Sequence, residues 1–343
     1  MQHPPPPPPP RHRRAPTDDR GTSLRVPQAQ GLTSGGPIQV GGRMAEHMVQ
    51  VAYNAQHRIL WHWEIPAYLV TKHIAGGAFL LLALIALTPL APFSPALMAW
   101  IGGFGLAMLL VTLGLLVVDL DRPDRFFYLL LRPQWRSWVA RAAWILSGFA
   151  AVGSLWWAVE TAAWLGWVAP AVATDLRVPL AIATLPLSAL AATYTALLFA
   201  QAEGRDLWQA PHIPVQMGFH ALLLGAAPFL VLPLVASVPP AVLTLARFTM
   251  FLGLTGSATT TLVGDLLVAQ PSEVARRAHY SLVRGKWRQN YWWGGLVCGH
   301  VLPLALLASG RPLPALAALI CAVLGLYLYE VAFVTVAQEV PNS

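Results

Sequence analysis

Eight long apolar stretches between residues 65 and 337 constrain the fold of this chain more than any other feature. A helix needs ~20 mostly apolar residues to cross ~30 Å of hydrocarbon, and helices satisfy their own backbone hydrogen bonds in lipid. Only 11% of the residues are charged, whereas soluble domains carry about 25%. The sequence therefore predicts an all-α, polytopic membrane helix bundle with about eight transmembrane helices. The approximate predicted spans are 65–87, 96–118, 138–165, 178–200, 215–236, 242–268, 292–308 and 313–337.

The N-terminal region differs sharply in composition from the rest. Residues 1–43 contain seven consecutive prolines, several arginines and Gly/Ser/Gln-rich sequence, a composition that cannot bury a core and predicts disorder. No apolar segment of signal-peptide length follows the basic residues. We therefore expect a disordered tail over 1–43 and a membrane domain over 44–343, with Met44 as an alternative start of translation.

The basic residues are distributed unequally between the loops. The net charge of +7 raises the possibility of nucleic-acid binding, but the arginines lie beside the spans, which is typical of membrane topology. Loops after the first, third, fifth and seventh spans carry only Arg177 and Arg311. This bias predicts that the other loops, and both termini, are cytoplasmic. Those loops carry Arg122, Arg125, Arg132, Arg136, Arg205, Arg276, Arg277, Arg284, Lys286 and Arg288.

The segment that leads into the first span is rich in aromatic and ionisable residues. Trp61 and His62 precede the span, and Tyr68, Lys72 and Gly76 then recur every four residues, on one helix face. Such side chains can stack on a flat amphipathic ring and bond its carbonyls. An interfacial aromatic belt would have a similar composition, but a cation within a span usually has a partner or a function.

Two further polar groups allow both a functional and a structural interpretation. Asp119 to Arg125 holds carboxylates and guanidiniums close enough for bidentate pairing beside a pocket, or forms a solvated, self-neutralising loop. Ser257, Thr261 and Asp265 recur every four residues in the sixth span. They form either a proton relay or a helix-packing stripe.

Composition also limits the redox groups that this chain can hold. Its two cysteines cannot supply the four ligands usual for an iron–sulfur cluster. His73, His220 and His300 lie in or near spans, but no pair has an obvious spacing for a bis-histidine haem. A diheme cytochrome b anchor, a transporter and a passive membrane anchor remain alternatives. A visible absorption spectrum tests the first of these, because bound haem absorbs visible light.

Several motifs in order resemble the polysulfide reductase/NrfD family of membrane subunits. The resemblance covers residues 54–343. Asp121 stands where the family motif has glycine, a residue that adopts backbone conformations which other residues avoid. The similar segments are His57…Trp61-His62-Trp63…Tyr68…Lys72…Ala75-Gly76-Gly77, Asp119-Leu-Asp121-Arg122-Pro123-Asp124-Arg125-Phe126, Ser137-Trp138-Val-Ala-Arg141-Ala-Ala-Trp144 and Gln338-Glu-Val-Pro341-Asn-Ser343.

The resemblance implies a quinone-binding anchor subunit of a respiratory oxidoreductase in the bacterial cytoplasmic membrane. It implies menaquinone or ubiquinone as the ligand, no haem or cluster of its own, a ferredoxin-like iron–sulfur partner and a catalytic subunit, often a molybdopterin enzyme. The implied quinone-binding residues are Asn54, His57, Trp61, His62, Tyr68, Lys72, Arg122, Arg125 and Arg141. The implied reactive residues are His57, His62 and Asp119, and no metal ligands are expected.

Overall fold

The computed structural model describes residues 59–120 and 127–342, together with two short strands nearer the N-terminus. Strand β1 (Gln39–Val40) pairs antiparallel with β2 (Arg43–Met44). The chain divides into the units Met1–Asn54 and Ala55–Ser343. The disorder predicted for residues 1–43 and the alternative start at Met44 lie almost wholly outside the described residues and stay predictions.

The described part of the larger unit consists of helices joined by loops. Its main helices follow the apolar stretches of the sequence, and short helical turns occupy the connections between them. They are α1 (Glu64–Leu87), α2 (Pro95–Val118), α3 (Tyr128–Leu131), α4 (Trp138–Trp164), α5 (Pro170–Ala200), a 3-10 turn (Asp206–Gln209), α6 (Ile213–Leu234), α7 (Pro240–Leu267), α8 (Glu273–Val283), α9 (Asn290–Val301, continued by Leu302–Leu307) and α10 (Pro312–Glu339).

Seven helices in the described part of the chain are long and apolar enough to cross a membrane: α1, α2, α4, α5, α6, α7 and α10. The predicted all-α membrane bundle is therefore confirmed, and the protein is a multi-pass membrane protein. The eighth predicted stretch, 292–308, is helical as α9 but is not one of the seven. The first twelve residues of α9, Asn290–Val301, form a π-helix that changes to α-helix at Leu302.

Helix α5 begins at Pro170, eight residues before its predicted start at 178. The charge of Arg177 suggested a loop, but its guanidinium forms a two-point ion pair with Glu160 of α4, with Nε–Oε1 2.7 Å and Nη2–Oε2 3.0 Å. Glu160 is fully buried. Because the two charges are paired and hydrogen-bonded, they are tolerated inside an apolar bundle.

Helix α1 is the most buried of the seven spans and packs against α2, α5 and α6. It approaches α6 backbone to backbone at Gly77 and Gly225, where a Cβ atom on either glycine would overlap the opposite main chain. Helices α9 and α10 also approach closely at Gly299 and Gly325, where a Cβ atom on Gly325 would overlap the main chain of Gly299. Small residues thus allow the close contacts that membrane bundles use.

The amphipathic helix α8 was not predicted from the sequence, where its region was interpreted only as a basic loop. Ser272 caps its N-terminus by accepting a hydrogen bond from Ala275 N at 3.1 Å. Ala278 and Leu282 are buried, whereas Arg276 is exposed. The helix therefore covers the end of the bundle with its apolar face and presents its basic face outwards.

Candidate quinone site and buried polar groups

A cavity of about 180 Å³ lies between α1, α2, α4 and α5. Its wall is mostly apolar, with a few polar atoms from Tyr68, Asp119, Ser147 and Tyr194. On α4, Val139 is 40% exposed and Ser147 is exposed, so the cavity wall reaches the outer surface of the bundle. The lining residues are Trp61, Ile65, Tyr68, Leu113, Leu116, Asp119, Leu120, Leu129, Val139, Ala142, Ala143, Leu146, Ser147, Tyr194 and Leu198.

Trp61 is held at the cavity by the C-terminal end of the chain. Gln338 Oε1 accepts hydrogen bonds from the main-chain nitrogens of Leu60 (2.9 Å) and Trp61 (3.0 Å), and Gln338 Nε2 donates to Trp61 O at 2.9 Å. The indole stacks on Trp208 at a centroid distance of 4.9 Å, and Trp208 stacks on Phe199 at the same distance. These contacts fix an aromatic wall on a segment that precedes α1.

Tyr68 and Lys72 share one acceptor on α5. Thr195 Oγ1 accepts from Tyr68 OH at 3.1 Å and from Lys72 Nζ at 2.6 Å. The ammonium also lies 4.7 Å from the ring centroid of Tyr194, a distance typical of a cation–π contact. Both Tyr68 and Lys72 are 1% exposed. The predicted face of α1 therefore does turn inwards, with Tyr68 in the cavity wall and Lys72 one turn deeper.

Asp119 follows the last residue of α2 and lies in the cavity wall. Arg141, which was predicted to bind the same ligand, lies near the start of α4. Its Nε donates to Trp135 O at 2.6 Å, and its guanidinium lies 4.7 Å from the ring centroid of Trp138. The next two residues of α4, Ala142 and Ala143, are the ones that line the cavity.

The remaining predicted cavity residues are not all described. Asn54, His57, Arg122 and Arg125 lie outside the described residues, so their roles stay predictions. His62 is exposed, and it is not one of the residues in the cavity wall. The structure thus brings Trp61, Tyr68 and Asp119 together around one cavity, with Lys72 behind them.

The predicted stripe on α7 faces the interior of the bundle, away from this cavity. Ser257, Thr261 and Asp265 are at most 6% exposed, and each meets a polar group of another segment. Ser257 Oγ lies 2.9 Å from His300 Nε2, and Thr261 Oγ1 accepts from Gln216 Nε2 at 2.8 Å. Asp265 Oδ1 lies 3.8 Å from Nε2 of His212, which precedes α6.

Asp265 also lines a second, more open cavity of about 520 Å³. Arginine side chains and His279 of the amphipathic helix α8 line the same cavity. Burial lowers the pKa of His212, and neighbouring His279 lowers it further. Burial likewise lowers the pKa of His279, with an added effect of Arg284. Because the unperturbed pKa of histidine is about 6.5, both side chains are mainly neutral near pH 7.

Sequence reasoning missed several residues that complete these groups. Thr195 and Gln216 join side chains of different helices, and Tyr194 covers the ammonium of Lys72. Thr195 carries no distinguishing signal in the sequence, because Thr193 lies two residues before it in the same apolar stretch and bonds only to its own helix, at Ala189 O, in the described structure. Gln216 did offer a signal, since an uncharged amide in an apolar span needs partners when it is buried.

Fold and cavity together define a class: a multi-pass helical membrane protein with an apolar, aromatic-walled cavity beside buried ionisable groups. The family model described as polysulphide reductase, NrfD, matches residues 52–337. The chain belongs to this family, as the sequence motifs predicted. Members of the family are membrane subunits of oxidoreductase complexes. A comparison with curated proteins finds no match.

Proposed function

We propose that the protein is the quinone-binding membrane subunit of a multi-subunit oxidoreductase and that its quinone site is the cavity between α1, α2, α4 and α5. The observation that carries this proposal is the convergence of Trp61, Tyr68 and Asp119 on one otherwise apolar cavity. A flat ring with two carbonyl oxygens requires an apolar or aromatic enclosure and a few polar groups, which is the usual composition of a ligand site. A lipid-soluble ligand would reach the cavity from the bilayer beside Val139 and Ser147.

The lining residues have distinct parts in this proposal. Trp61 supplies an aromatic face, Tyr68 supplies a phenol ring fixed by its hydrogen bond to Thr195, and Asp119 supplies a carboxylate that can take up or release a proton. Lys72 lies one helical turn behind the wall and would hold a proton there. Its Nζ donates to Thr195 Oγ1, the same acceptor that Tyr68 OH uses. A bound quinone would supply the two-electron, two-proton chemistry, and the protein would position it and control its protonation.

Electrons would be exchanged with a ferredoxin-like iron–sulfur subunit that in turn serves a catalytic, molybdopterin-type subunit. The cavity lies near the ends of α2 and α5 that carry the basic loops, so the positive-inside rule favours a cytoplasmic partner. His57, His62, Arg122 and Arg125 belong to this face in the sequence, and we propose that they complete the site with the partner in place. Reporter fusions after α1 and α2 test this orientation. A periplasmic assignment of the loop after α2 would overturn it.

Photolabelling of the native complex in its membrane tests the proposed cavity directly. Azido derivatives of short-chain ubiquinone and menaquinone are compared, and labelled peptides are mapped by mass spectrometry. We expect labels on the segments around Tyr68, Asp119 and Ser147. The variant Ser147→Trp should block labelling, whereas Ala151→Trp, one turn further along the exposed face of α4, should not. Labelling that is equal in both variants, or that maps elsewhere, would refute the site.

Single substitutions at His57 and His62 test the residues implied by the family motif. Each variant should lose quinone-linked turnover of the complex but keep its activity with an artificial dye that accepts electrons at the catalytic subunit. Unchanged quinone turnover in both variants would remove these histidines from the mechanism.

A further inference from the structure

A belt of buried ionisable side chains crosses the bundle at one depth. Lys72 and His73 of α1, His220 of α6, His300 of α9 and Glu330 of α10 are at most 4% exposed. Each lies seven to ten residues from the helix end on the side of the basic loops, which corresponds to about 10–15 Å at 1.5 Å per residue. This is near the middle of a bilayer, where ionisable residues are costly and usually functional.

The belt begins at the proposed quinone cavity. Tyr68 of the cavity wall and Lys72 meet at Thr195 Oγ1. The next residue, His73, contacts the ring of His220 edge to face, with centroids 5.6 Å apart. His220 Nδ1 lies 3.3 Å from Glu330 Oε1. In the described part of the chain, His73 Nδ1 and His220 Nε2 have no hydrogen-bond partner, so both ring nitrogens remain available to a proton.

From Glu330 the polar groups continue towards the second cavity. Gln216 lies one turn before His220 on α6, and its Nε2 donates to Tyr329 OH at 3.2 Å and to Thr261 Oγ1 at 2.8 Å. Thr261 lies one turn before Asp265, which lines the open cavity of about 520 Å³. Amides and hydroxyls do not store a proton, but they provide the polar partners that a bridging water needs.

We infer that Asp265 is the aqueous mouth of a proton route that leads through Glu330 and His220 to Lys72, separate from the opening by which quinone reaches its cavity. This inference rests on the proposed quinone site and identifies the proton path that would serve it. Reduction of one quinone consumes two electrons, supplied by the iron–sulfur partner, and two protons, supplied from water along this route. Quinol oxidation would release the same electrons and protons in reverse.

The surroundings of Asp265 suit a group that exchanges protons with water. His212 lies beside it, Tyr291 of α9 packs nearby, and basic side chains of α8 surround the open side. The basic side chains make the open side of this cavity polar, and Thr261 and Gln216 lie on its inner side. The remaining charged or titratable residues of this cavity are Arg276, Arg277, His279, Tyr280 and Arg284.

The test uses the native complex with Asp265→Asn, Glu330→Gln and the control Asp175→Asn, an exposed aspartate near the opposite end of the bundle. Turnover with short-chain quinones should fall about 100-fold in the first two variants, within the range for lost acid–base catalysis, and stay unchanged in the control. Quinone photolabelling should persist in all three. Azide or acetate should restore turnover in Asp265→Asn, because the cavity beside this residue is open. Neither should restore turnover in Glu330→Gln, because Glu330 is enclosed.

A second measurement uses the resting protein and does not depend on turnover. Infrared difference spectra after a pH step should contain a carboxyl band, shifted in deuterium oxide, that is missing in Asp265→Asn and present in Asp175→Asn. Normal turnover in both Asp265→Asn and Glu330→Gln would overturn the route, as would the absence of this band difference. Lost photolabelling in the wild-type complex would refute the quinone site instead, so the two failures are distinguishable.

Discussion

The hydroxyl of Thr195 that Tyr68 and Lys72 share should stabilise the folded protein by several kcal/mol. Replacing Thr195 with the nearly isosteric valine tests this. Thr195→Val leaves Tyr68 OH and Lys72 Nζ without their common acceptor, and both side chains are 1% exposed. A buried donor left unsatisfied costs about 1–3 kcal/mol, and more when it is charged. The two losses together predict a destabilisation of roughly 2–5 kcal/mol, reduced if water enters beside Lys72.

The matched control is Thr193→Val on the same helix. Among the residues that the structure describes, Thr193 Oγ1 bonds only within α5, donating to Ala189 O at 2.9 Å, so its removal leaves no donor of another described helix unpaired. Denaturation of both variants in the same detergent, monitored by circular dichroism, gives the difference between their unfolding midpoints. Thr195→Val should unfold at a clearly lower midpoint and should also slow quinone-linked turnover. Equal midpoints for the two variants would refute the assigned role of the hydroxyl.

Three further outcomes are expected. Gly77→Ala should destabilise the bundle by about 1–3 kcal/mol through overpacking against α6, whereas Gly114→Ala, whose added methyl meets open space, should be neutral or stabilising in detergent denaturation. Gln338→Ala should raise the KM for short-chain quinones several-fold by releasing the segment before α1, and the exposed Gln289→Ala should not. Because burial lowers the pKa of His279 in the folded protein, the unfolded chain binds more protons below pH ~6.5. The denaturation midpoint should therefore decrease as the pH is lowered from about 7 to about 5, and this decrease should be smaller in His279→Gln. The same dependence of the midpoint on pH in both proteins would contradict this.

Hydropathy and charge predicted most of the fold because the bilayer imposes one dominant requirement on every span. The prediction was least accurate where a local interaction outweighed that requirement. The ion pair between Arg177 and Glu160 placed a charge inside α5, and the amphipathic α8 is too polar for a hydropathy search. The π-helical Asn290–Val301 could not be anticipated, since no residue pattern in the sequence distinguishes it from an α-helix.

For the candidate site, the sequence indicated which side chains face inwards but not which helices they meet. The four-residue spacing of Tyr68 and Lys72 correctly predicted one face of α1, and that of Ser257, Thr261 and Asp265 one face of α7. Their partners lie more than forty residues away in sequence, so only the folded bundle identifies them. The sequence presented the C-terminal segment only as part of the family resemblance, whereas the hydrogen bonds of Gln338 with Leu60 and Trp61 give it a structural role.

Glycines and histidines, which the sequence presents as separate signals for packing and for chemistry, act together at the centre of the bundle. Gly77 lies one turn beyond His73 on α1, and Gly225 lies five residues beyond His220 on α6. The backbone contact of the two glycines holds α1 and α6 closely together, and it is this approach that brings the two imidazole rings to 5.6 Å. A larger residue at either glycine would widen the gap within the proposed proton route as well as loosen the fold. The Gly77→Ala variant should therefore lose proton-coupled turnover to a greater extent than its loss of stability alone explains.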